Sequence, residues 1–169
     1  RLTAEADFLL ESFAPGYLEK LGLGYSQLEA INPGIIMVSV TPFGQAGPYK
    51  DYKGPDIVGW AMGGYMYAFG DPDRSPLRIG HVPQAHLHAA AEASVGALVA
   101  LHYRNITGRG QHVDVSIQEA VARLDMTTKY DMLRIPLKRG EWLNLRNIPI
   151  RYIWPCKDGH VVWYYTYGP

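Results

Sequence analysis

The sequence predicts an α/β fold in which buried strands alternate with helices, and three observations support this prediction. Residues 35–40 form a nearly continuous apolar run with the length of one buried strand. Residues 84–104 are rich in alanine and have the composition of a long helix. Val113, Val115 and Ile117 then alternate with other residues, which is typical of a strand with one buried face.

The first elements are predicted to be a strand, a turn and a short helix. Residues 8–12 are an apolar run that ends in polar side chains, as expected for a short strand. Pro15 suits the first position of the helix that follows, and Gly22 suits its end. A second short helix is predicted over residues 25–31, before the buried strand at 35–40.

The middle of the chain is predicted to be a helix between two loops. Residues 41–53 form the first loop and residues 70–79 the second, because both are interrupted by glycine and proline. Residues 56–69 are apolar enough for a helix. Three glycines weaken that helix unless another element packs closely against it: Gly59, Gly63 and Gly64.

The alanine-rich helix has the strongest signal. Seven alanines favour it, and Leu87, Val95, Leu98 and Leu101 are expected to supply its bulk. Gly108 suits a left-handed residue after the last turn, so the helix should end there and lead into the strand at 113–117. A further helix is predicted over residues 118–133, before Pro136.

The end of the chain differs in composition from the rest, because it is rich in aromatic residues. The aromatic-rich runs 150–154 and 160–165 flank Lys157, Asp158 and Gly159, which predicts an antiparallel hairpin with an Asp-Gly turn. We therefore expect a domain boundary near Ile148. Residues 1–148 would form one α/β unit, and residues 149–169 would begin a smaller one.

Composition excludes several classes of function. Sixteen basic residues balance sixteen acidic ones without a Lys/Arg run, which disfavours nucleic acid and anionic membrane surfaces as partners. No apolar run approaches the roughly 18 residues that span a bilayer. Cys156 is the sole cysteine, so an internal disulfide is excluded and a cytoplasmic location is favoured. Because the chain begins without methionine, we expect it to be a piece of a longer polypeptide.

Two glycine-containing turns are candidates for binding an anion. Residues 107–110 (TGRG) run from a helix to a strand, which is the wrong order for a phosphate loop and indicates a helix stop. Residues 8–20 run from a strand to a helix, which is the correct order. Ser12, Phe13 and the following N–H groups could therefore hold a polar or phosphorylated ligand, with Lys20 along the helix.

The histidines near the start of the long helix are a second candidate site. His88 and Glu92 are four residues apart and share a helix face, but a catalytic metal usually needs three protein ligands. The third would have to come from His81 or from a distant residue. We therefore predict no metal. Hydrolase chemistry is also disfavoured, because no Gly-x-Ser-x-Gly elbow is present.

Motifs along the whole chain occur in the order found in one known family. The strongest are residues 38–49 (VSVTPFGQAGPY) and 107–116 (TGRGQHVDVS), and the others are residues 6–16, 21–25, 31–33, 76–80, 86–104 and 156–159. Together they resemble the family III CoA-transferases, which include carnitine dehydratase, bile-acid-inducible F-like and formyl-CoA transferase proteins.

The resemblance implies a fold and an activity. Residues 1–148 would be part of a Rossmann-like large domain without its first βα units, and residues 149–169 would be the first hairpin of a smaller α+β domain. The implied reaction transfers CoA between an acyl-CoA thioester and a carboxylic acid. Members form interlocked dimers, so a homodimer or a paired homologous subunit is expected, as are open sheet edges in this piece alone.

The resemblance also implies site residues. The family's nucleophile is an aspartate ten residues before the glycine here numbered Gly96, and His86 stands at that position. Asp56 matches an acidic position near the reaction centre. The implied CoA contacts are Ser12, Phe13, Lys20 and Lys53, and Ala14 replaces an arginine of the family motif.

His86 changes the chemistry that the resemblance implies. The family's aspartate carries CoA as an aspartyl thioester, which histidine cannot form, so His86 could act as a base or as an acyl-imidazole nucleophile. The alternatives are a catalytically silent CoA-binding subunit, a structural module without CoA binding, and, less favoured, a racemase-like enzyme, whose first base would fall at Pro55. Trp60, Met62 and Met66 could line an acyl pocket for a medium or bulky group, although helix core is the commoner role.

Overall fold

The computed structural model describes residues 2–68, 75, 76, 78, 80–124 and 153–162, except for the side chains of residues 68, 153 and 162. Its strands and longer helices are β1 Phe8–Glu11, α1 Tyr17–Lys20, α2 Tyr25–Ile31, β2 Ile36–Thr41, α3 Asp56–Met62, α4 Gln84–Thr107, β3 His112–Ser116, α5 Ile117–Ala122, β4 Ile153–Cys156 and β5 Gly159–Val162. Short 3₁₀ turns occupy Leu2–Ala4 and Tyr65–Ala68. The predicted alternation of strands and helices is confirmed.

The first three strands form a parallel sheet in the order β1-β2-β3. Val38 of β2 lies between Leu10 of β1 and Val113 of β3, which fixes the register. Within the described residues β1 and β3 pair only with β2, so no described strand covers their outer edges. The carboxyl ends of the three strands meet at one edge of the sheet, where open α/β sheets bind ligands.

The central strand β2 is buried on both faces, and its side chains divide the core in two. Ile36 and Val38 pack into a cluster with Trp60 and residues of α4 and α5. Met37 faces the other way and packs with Leu18 of α1 and Leu28 of α2. This burial on both faces explains the nearly continuous apolar run, because neither side of the strand meets water.

Helix α4 packs through small residues, which the sequence does not lead one to expect. Its buried side chains are Ala85, Ala89, Ala93 and Ala100. Of the four residues expected to supply bulk, Leu101 is partly buried against the core, whereas Leu87, Val95 and Leu98 are exposed. A Cβ atom at Gly96 would lie 2.7 Å from a methyl group of Val113 in β3. At Gly96 the helix therefore lies so close to β3 that a side chain would not fit without a shift.

Helix α3 is shorter than predicted. It ends at Met62 instead of continuing to residue 69. Gly63 is its C-cap, and Gly64 then adopts a left-handed φ of 83°. The close approach anticipated at its glycines is present, since a Cβ at Gly59 would lie 2.9 Å from Ile117 and one at Gly63 2.5 Å from Val121. These glycines allow α3 to pack against α5.

Two smaller predictions are corrected. Pro15 is not the first helical residue, because Gly16 with φ of 78° precedes a helix that starts at Tyr17. Ile117 does not end β3 but begins α5, and the Ser116 hydroxyl accepts a hydrogen bond from the Glu119 N–H at 3.3 Å as the cap.

The C-terminal hairpin is confirmed in its described part. β4 and β5 pair antiparallel, with Cys156 opposite Gly159, so the two turn residues are Lys157 and Asp158 and not an Asp-Gly pair. The predicted helix beyond residue 124, the outer parts of both aromatic runs and the boundary near Ile148 lie outside the described residues. In the described part of the chain, no helix is long and apolar enough to cross a membrane.

Candidate functional site

The structure brings together His86 and Asp56, the two residues predicted to be catalytic. His86 lies in the first turn of α4, and Asp56 is the first residue of α3. The His86 Nδ1 atom is 2.9 Å from Asp56 Oδ1, and the His86 backbone N–H donates to the same oxygen at 3.2 Å. We refer to these two residues as the His86–Asp56 pair.

The start of α4 explains why Asp56 is held there. A helix begins with N–H groups that have no partner within it, and Pro83, the residue before α4, offers no side-chain cap. Asp56 supplies the missing acceptor from the neighbouring helix, taking hydrogen bonds from the backbones of Ala85 and His86. The positive ends of two helix dipoles stabilise the negative charge of Asp56, because its carboxylate lies at the N-terminus of α4 and the residue itself lies in the first turn of α3.

Arg78 adds a third charged group, and it was not among the predicted site residues. Its Nη2 atom lies 3.8 Å from Asp56 Oδ2. The same nitrogen donates hydrogen bonds to the backbone carbonyls of His81 and Val82, at 3.4 and 3.3 Å. The available signal in the sequence was the position of Arg78 in the family-like stretch 76–80. Spacing alone could not place it against a residue 22 positions earlier.

The environment of Asp56 favours its charged form. Burial raises the pKa of the Asp56 carboxyl, but hydrogen bonds from the His86 side chain and backbone outweigh that effect and hold the pKa below its ordinary value. An ionised carboxylate can only accept, so the hydrogen between the two side chains is on His86 Nδ1. In the neutral ring, this leaves the lone pair on Nε2.

The two side chains differ in exposure. The Asp56 side chain is 13% exposed and the His86 side chain 48%. Within the described residues His86 Nε2 has no hydrogen-bond partner, so its lone pair is open to solvent or substrate. A half-exposed imidazole oriented by a buried carboxylate can act as a general base or as a nucleophile.

The neighbouring histidine and glutamate have other contacts. The His88 ring stacks on Trp60 with centroids 5.9 Å apart, and Glu92 forms an ion pair with Arg123 at 3.1 Å. Trp60 is 3% exposed and belongs to the core, as its commoner role predicts. Across the ranges that the structure describes, no three side chains of the metal-binding type are grouped.

Ser12 and Phe13 lie at the carboxyl end of β1 and are exposed. The Phe13 N–H, which would face an anion in the predicted strand-to-helix site, donates to Glu11 Oε2 at 2.7 Å. The helix that follows has only four residues, so it offers little dipole. In this arrangement the Phe13 N–H is not available to a phosphate, although the side chains of Ser12 and Phe13 remain accessible.

Lys20 and Lys53 carry accessible charges. Lys20 ends α1, Lys53 lies three residues before Asp56, and both are exposed. Neither makes an ion pair with another described residue. No hydrogen bond or ion pair in the described part of the chain joins Ser12, Phe13, Lys20 or Lys53 to the His86–Asp56 pair.

The loop after β2 is tied to the neighbouring strands at the carboxyl edge of the sheet. The Gln45 N–H donates to Asp114 Oδ2 at 2.9 Å, and the Gln45 side chain donates to Glu11 Oε1 at 3.4 Å. These bonds connect the loop that carries Lys53 to the end of β1, where Ser12 and Phe13 lie.

Comparisons with known proteins agree with this architecture. The model of CoA-transferase family III matches residues 1–168. The succinyl-CoA–D-citramalate CoA-transferase of Chloroflexus aurantiacus is 44% identical over 162 residues, which are 94% of this chain and 40% of that protein. The succinyl-CoA–L-malate CoA-transferase beta subunit of the same organism is 41% identical over 135 residues, 79% of this chain and 33% of that subunit.

A solved structure shows the same fold. A CAIB/BAIF family protein from Brucella suis superposes with a TM-score of 0.78 at 34% identity, over 94% of this chain and 42% of that one. The chain thus spans less than half the length of each of these three proteins.

Proposed function

The chain belongs to CoA-transferase family III, and from this we propose that the complete protein transfers CoA between an acyl-CoA thioester and a carboxylic acid. The single observation within the chain that carries the proposal is the 2.9 Å hydrogen bond of the His86–Asp56 pair. It provides an oriented, half-exposed reactive group at the position where the family nucleophile is expected.

The reaction cannot follow the aspartyl-CoA route in this chain alone. That route stores CoA as a thioester of the protein's own carboxylate, and an imidazole has no acyl carbon to accept sulfur. Asp56 is a poor substitute, because both its oxygens face other groups and its side chain is largely buried. We therefore propose that the protein carries the acyl group and not CoA.

Three steps complete the transfer. The Nε2 lone pair of His86 attacks the thioester carbonyl, so that an N–C bond forms, the C–S bond breaks and CoA leaves as the thiolate. The acceptor carboxylate then attacks the acyl-imidazole, which releases His86 and forms a mixed anhydride. Finally the bound CoA thiolate attacks the acceptor's carbonyl in the anhydride, which yields the new acyl-CoA and the donor acid as its carboxylate.

Asp56 supports the first step in two ways. By accepting the Nδ1 hydrogen, it holds the ring with Nε2 available, and its negative charge stabilises the positive charge that develops on the acylated ring. Its lowered pKa keeps it ionised at neutral pH. Asp56 is thus an orienting and electrostatic partner of His86.

We further propose dicarboxylic acids as the substrate class. The printed names of the two relatives from Chloroflexus include succinyl, citramalate and malate, each of which carries a second carboxylate. Such substrates present a negative charge close to the reacting carbon, which calls for a nearby cation in the site.

For CoA itself, we propose contacts at the carboxyl edge of the sheet. The exposed side chains of Ser12 and Phe13 would contact the nucleotide, and the exposed ammonium groups of Lys20 and Lys53 would pair with its phosphates. The support is their accessibility and the absence of competing ion pairs among the described residues. Ala14 offers no cation where the family motif has arginine.

We propose that the complete protein acts in the cytoplasm as a homodimer or with a paired homologous subunit. The open edges of the described sheet and a relative that is named as a subunit support pairing. The division into a large domain at 1–148 and a small-domain hairpin from 149 remains part of this proposal.

A silent CoA-binding subunit is the second candidate, and the observation that favours it is His86 itself. If the active aspartate belongs to a paired homologue, this chain would bind CoA without turning it over. A racemase is less favoured, because two bases must flank a substrate carbon, whereas His86 and Asp56 are hydrogen-bonded directly to each other.

Replacing His86 with alanine tests the proposal in the complete protein. We expect His86→Ala to lower kcat/KM for CoA transfer by at least about 10³-fold. The matched control is His102→Ala, which removes an exposed histidine farther along α4 and should leave the rate near that of the unchanged protein. Equal rates for both variants would contradict a role for His86.

CoA binding without turnover in the unchanged protein would favour the silent subunit, and no CoA binding would leave only a structural module.

A further inference from the structure

Arg78 is the cation of the site whose role the proposed reaction leaves open. Among the described residues it is the only lysine or arginine that forms an ion pair with Asp56. The pair is loose, at 3.8 Å, and Asp56 Oδ1 is already taken up by the hydrogen bonds from His86. Arg78 therefore lies next to the His86–Asp56 pair and can still bind another anion.

Most of the hydrogen-bonding capacity of Arg78 is unused. A guanidinium has five N–H donors, and the contacts to Asp56, His81 and Val82 all involve Nη2. Within the described residues Nε and Nη1 have no partner, and the side chain is 42% exposed. The two backbone carbonyls fix one end of the group and leave the other end open.

The chemistry of these free donors specifies a ligand. The free N–H groups on Nε and Nη1 point to different sides of the guanidinium, and each can donate a charge-assisted hydrogen bond to a carboxylate oxygen. A CoA phosphate is the less suitable anion here, because the pantetheine arm separates the phosphates from the sulfur that must approach His86. A second carboxylate on the acyl group is instead separated from the reacting carbon by a few bonds.

We infer that Arg78 binds the second carboxylate of a dicarboxylic substrate while the first carboxyl carbon reacts at His86. This assignment rests on the proposed function and names the residue that selects its substrates. The guanidinium lies 3.8 Å from one oxygen of the Asp56 carboxylate and the imidazole 2.9 Å from the other, so both groups adjoin the same side chain, and the assignment has one short diacid contact both.

The test is a competition between two acceptors in the complete protein. Succinate and its monoamide, succinamate, differ only at the distal group, and both compete for the same acyl-CoA donor in one reaction. The ratio of the two products gives the ratio of the two kcat/KM values, so any effect of a variant on the donor cancels.

The unchanged protein should prefer succinate by about 10- to 100-fold, the range expected for hydrogen bonds to a charged group. In Arg78→Gln the ratio should fall to within a few-fold of one, and Arg78→Lys should restore part of it. The control Arg109→Gln removes an exposed arginine that pairs with Glu29 beyond the far end of α4, and should keep the full preference. A preference that survives in Arg78→Gln, or one that is absent in the unchanged protein, overturns the assignment.

A binding measurement separates failure of this inference from failure of the proposed function. Isothermal titration of CoA-loaded protein with succinate and succinamate needs no turnover. Arg78-dependent preference for succinate without any CoA transfer would retain the assignment and refute the proposed activity. Transfer that does not distinguish the two acceptors would do the reverse.

Discussion

Asp56 connects two helices and an arginine through one carboxylate. It accepts hydrogen bonds from the backbone at the start of α4 and from the His86 ring, and it attracts Arg78 from the opposite side. A residue with these contacts has a structural role as a helix cap and a chemical role as the partner of His86. Substitutions at Asp56 will therefore change both stability and rate.

The sequence identified His86 and Asp56 separately but not their contact. The count from Gly96 located His86, and the family-like motif located Asp56. Their hydrogen bond depends on how α3 and α4 pack, and spacing within one chain does not determine the distance between two helices. Arg78 was not predicted as a site residue for the same reason, because only its contact with Asp56 connects it to the site.

The pH dependence of stability tests the ionisation of Asp56. Its pKa is lowered in the folded protein relative to an ordinary value of 3.8, so folding favours the ionised form. The resulting stabilisation is complete above that value and is lost as the pH falls through the lower pKa of the folded state. We expect Asp56→Asn to reduce the free energy of unfolding by about 1 kcal/mol at pH 7, and the difference to shrink below about pH 4.

Urea unfolding at pH 7, 5, 4 and 3 measures this difference. Asp51→Asn is the matched control, because Asp51 is exposed and pairs only with the exposed Lys50 in the described part of the chain. Its variant should stay close to the unchanged protein at every pH. A gap for Asp56→Asn that is as large at pH 3 as at pH 7 would show that Asp56 is not preferentially ionised in the folded state.

At the scale of elements, the packing of α4 was the least predictable feature. Its existence and its end at Gly108 follow from alanine content and from a glycine with φ of 75°. Its buried face does not follow, because bulky apolar residues normally mark the core side of a helix. Here the sheet and α3 approach so closely that the alanines face inward and Leu98 faces outward.

The glycines of α3 provide a test of this close packing. A methyl group at Gly63 would lie 2.5 Å from Val121 Cγ1 and 3.1 Å from the Gln118 carbonyl oxygen, so one of the two helices must shift. We expect Gly63→Ala to destabilise the protein by about 1–3 kcal/mol, despite the better helix propensity of alanine. Chemical denaturation of the purified variant measures the loss.

A double-mutant cycle shows whether the contact with Val121 is the cause. Val121→Ala alone should also destabilise, because it removes buried methyl groups, but it makes room for the new methyl group. The double variant should lose less stability than the sum of the two single variants. Simple additivity would mean that Gly63 is required for some other reason than its approach to α5.

At the scale of the whole molecule, the α/β class and the short strands were predictable to within a few residues. The runs 8–12 and 35–40 correspond to β1 and β2, because local apolar patterns report strand burial directly. The strand order β1-β2-β3 required the structure, since sequence patterns do not say which strands are neighbours. Because the strands are parallel, the ends of β1 and β2, and with them Ser12 and Phe13, lie at one edge of the sheet.

The chain accounts for less than half the length of its two relatives from Chloroflexus, so functional tests require the complete protein. In the proposed reaction, His86 carries the acyl group during CoA transfer. A dual-label experiment tests this step. The protein reacts with acyl-CoA labelled in both the acyl group and the CoA moiety, is freed of all non-covalently bound molecules by rapid gel filtration in denaturant, and is treated with neutral hydroxylamine.

We predict that the protein retains the acyl label without the CoA label. Hydroxylamine should then release a free acyl hydroxamate and return the protein to its unmodified mass, and His86→Ala should retain neither label. Retention of the CoA label, with a hydroxamate formed on a carboxylate of the protein, would contradict the account, because it would show that CoA is carried by an aspartate or glutamate and not displaced by His86.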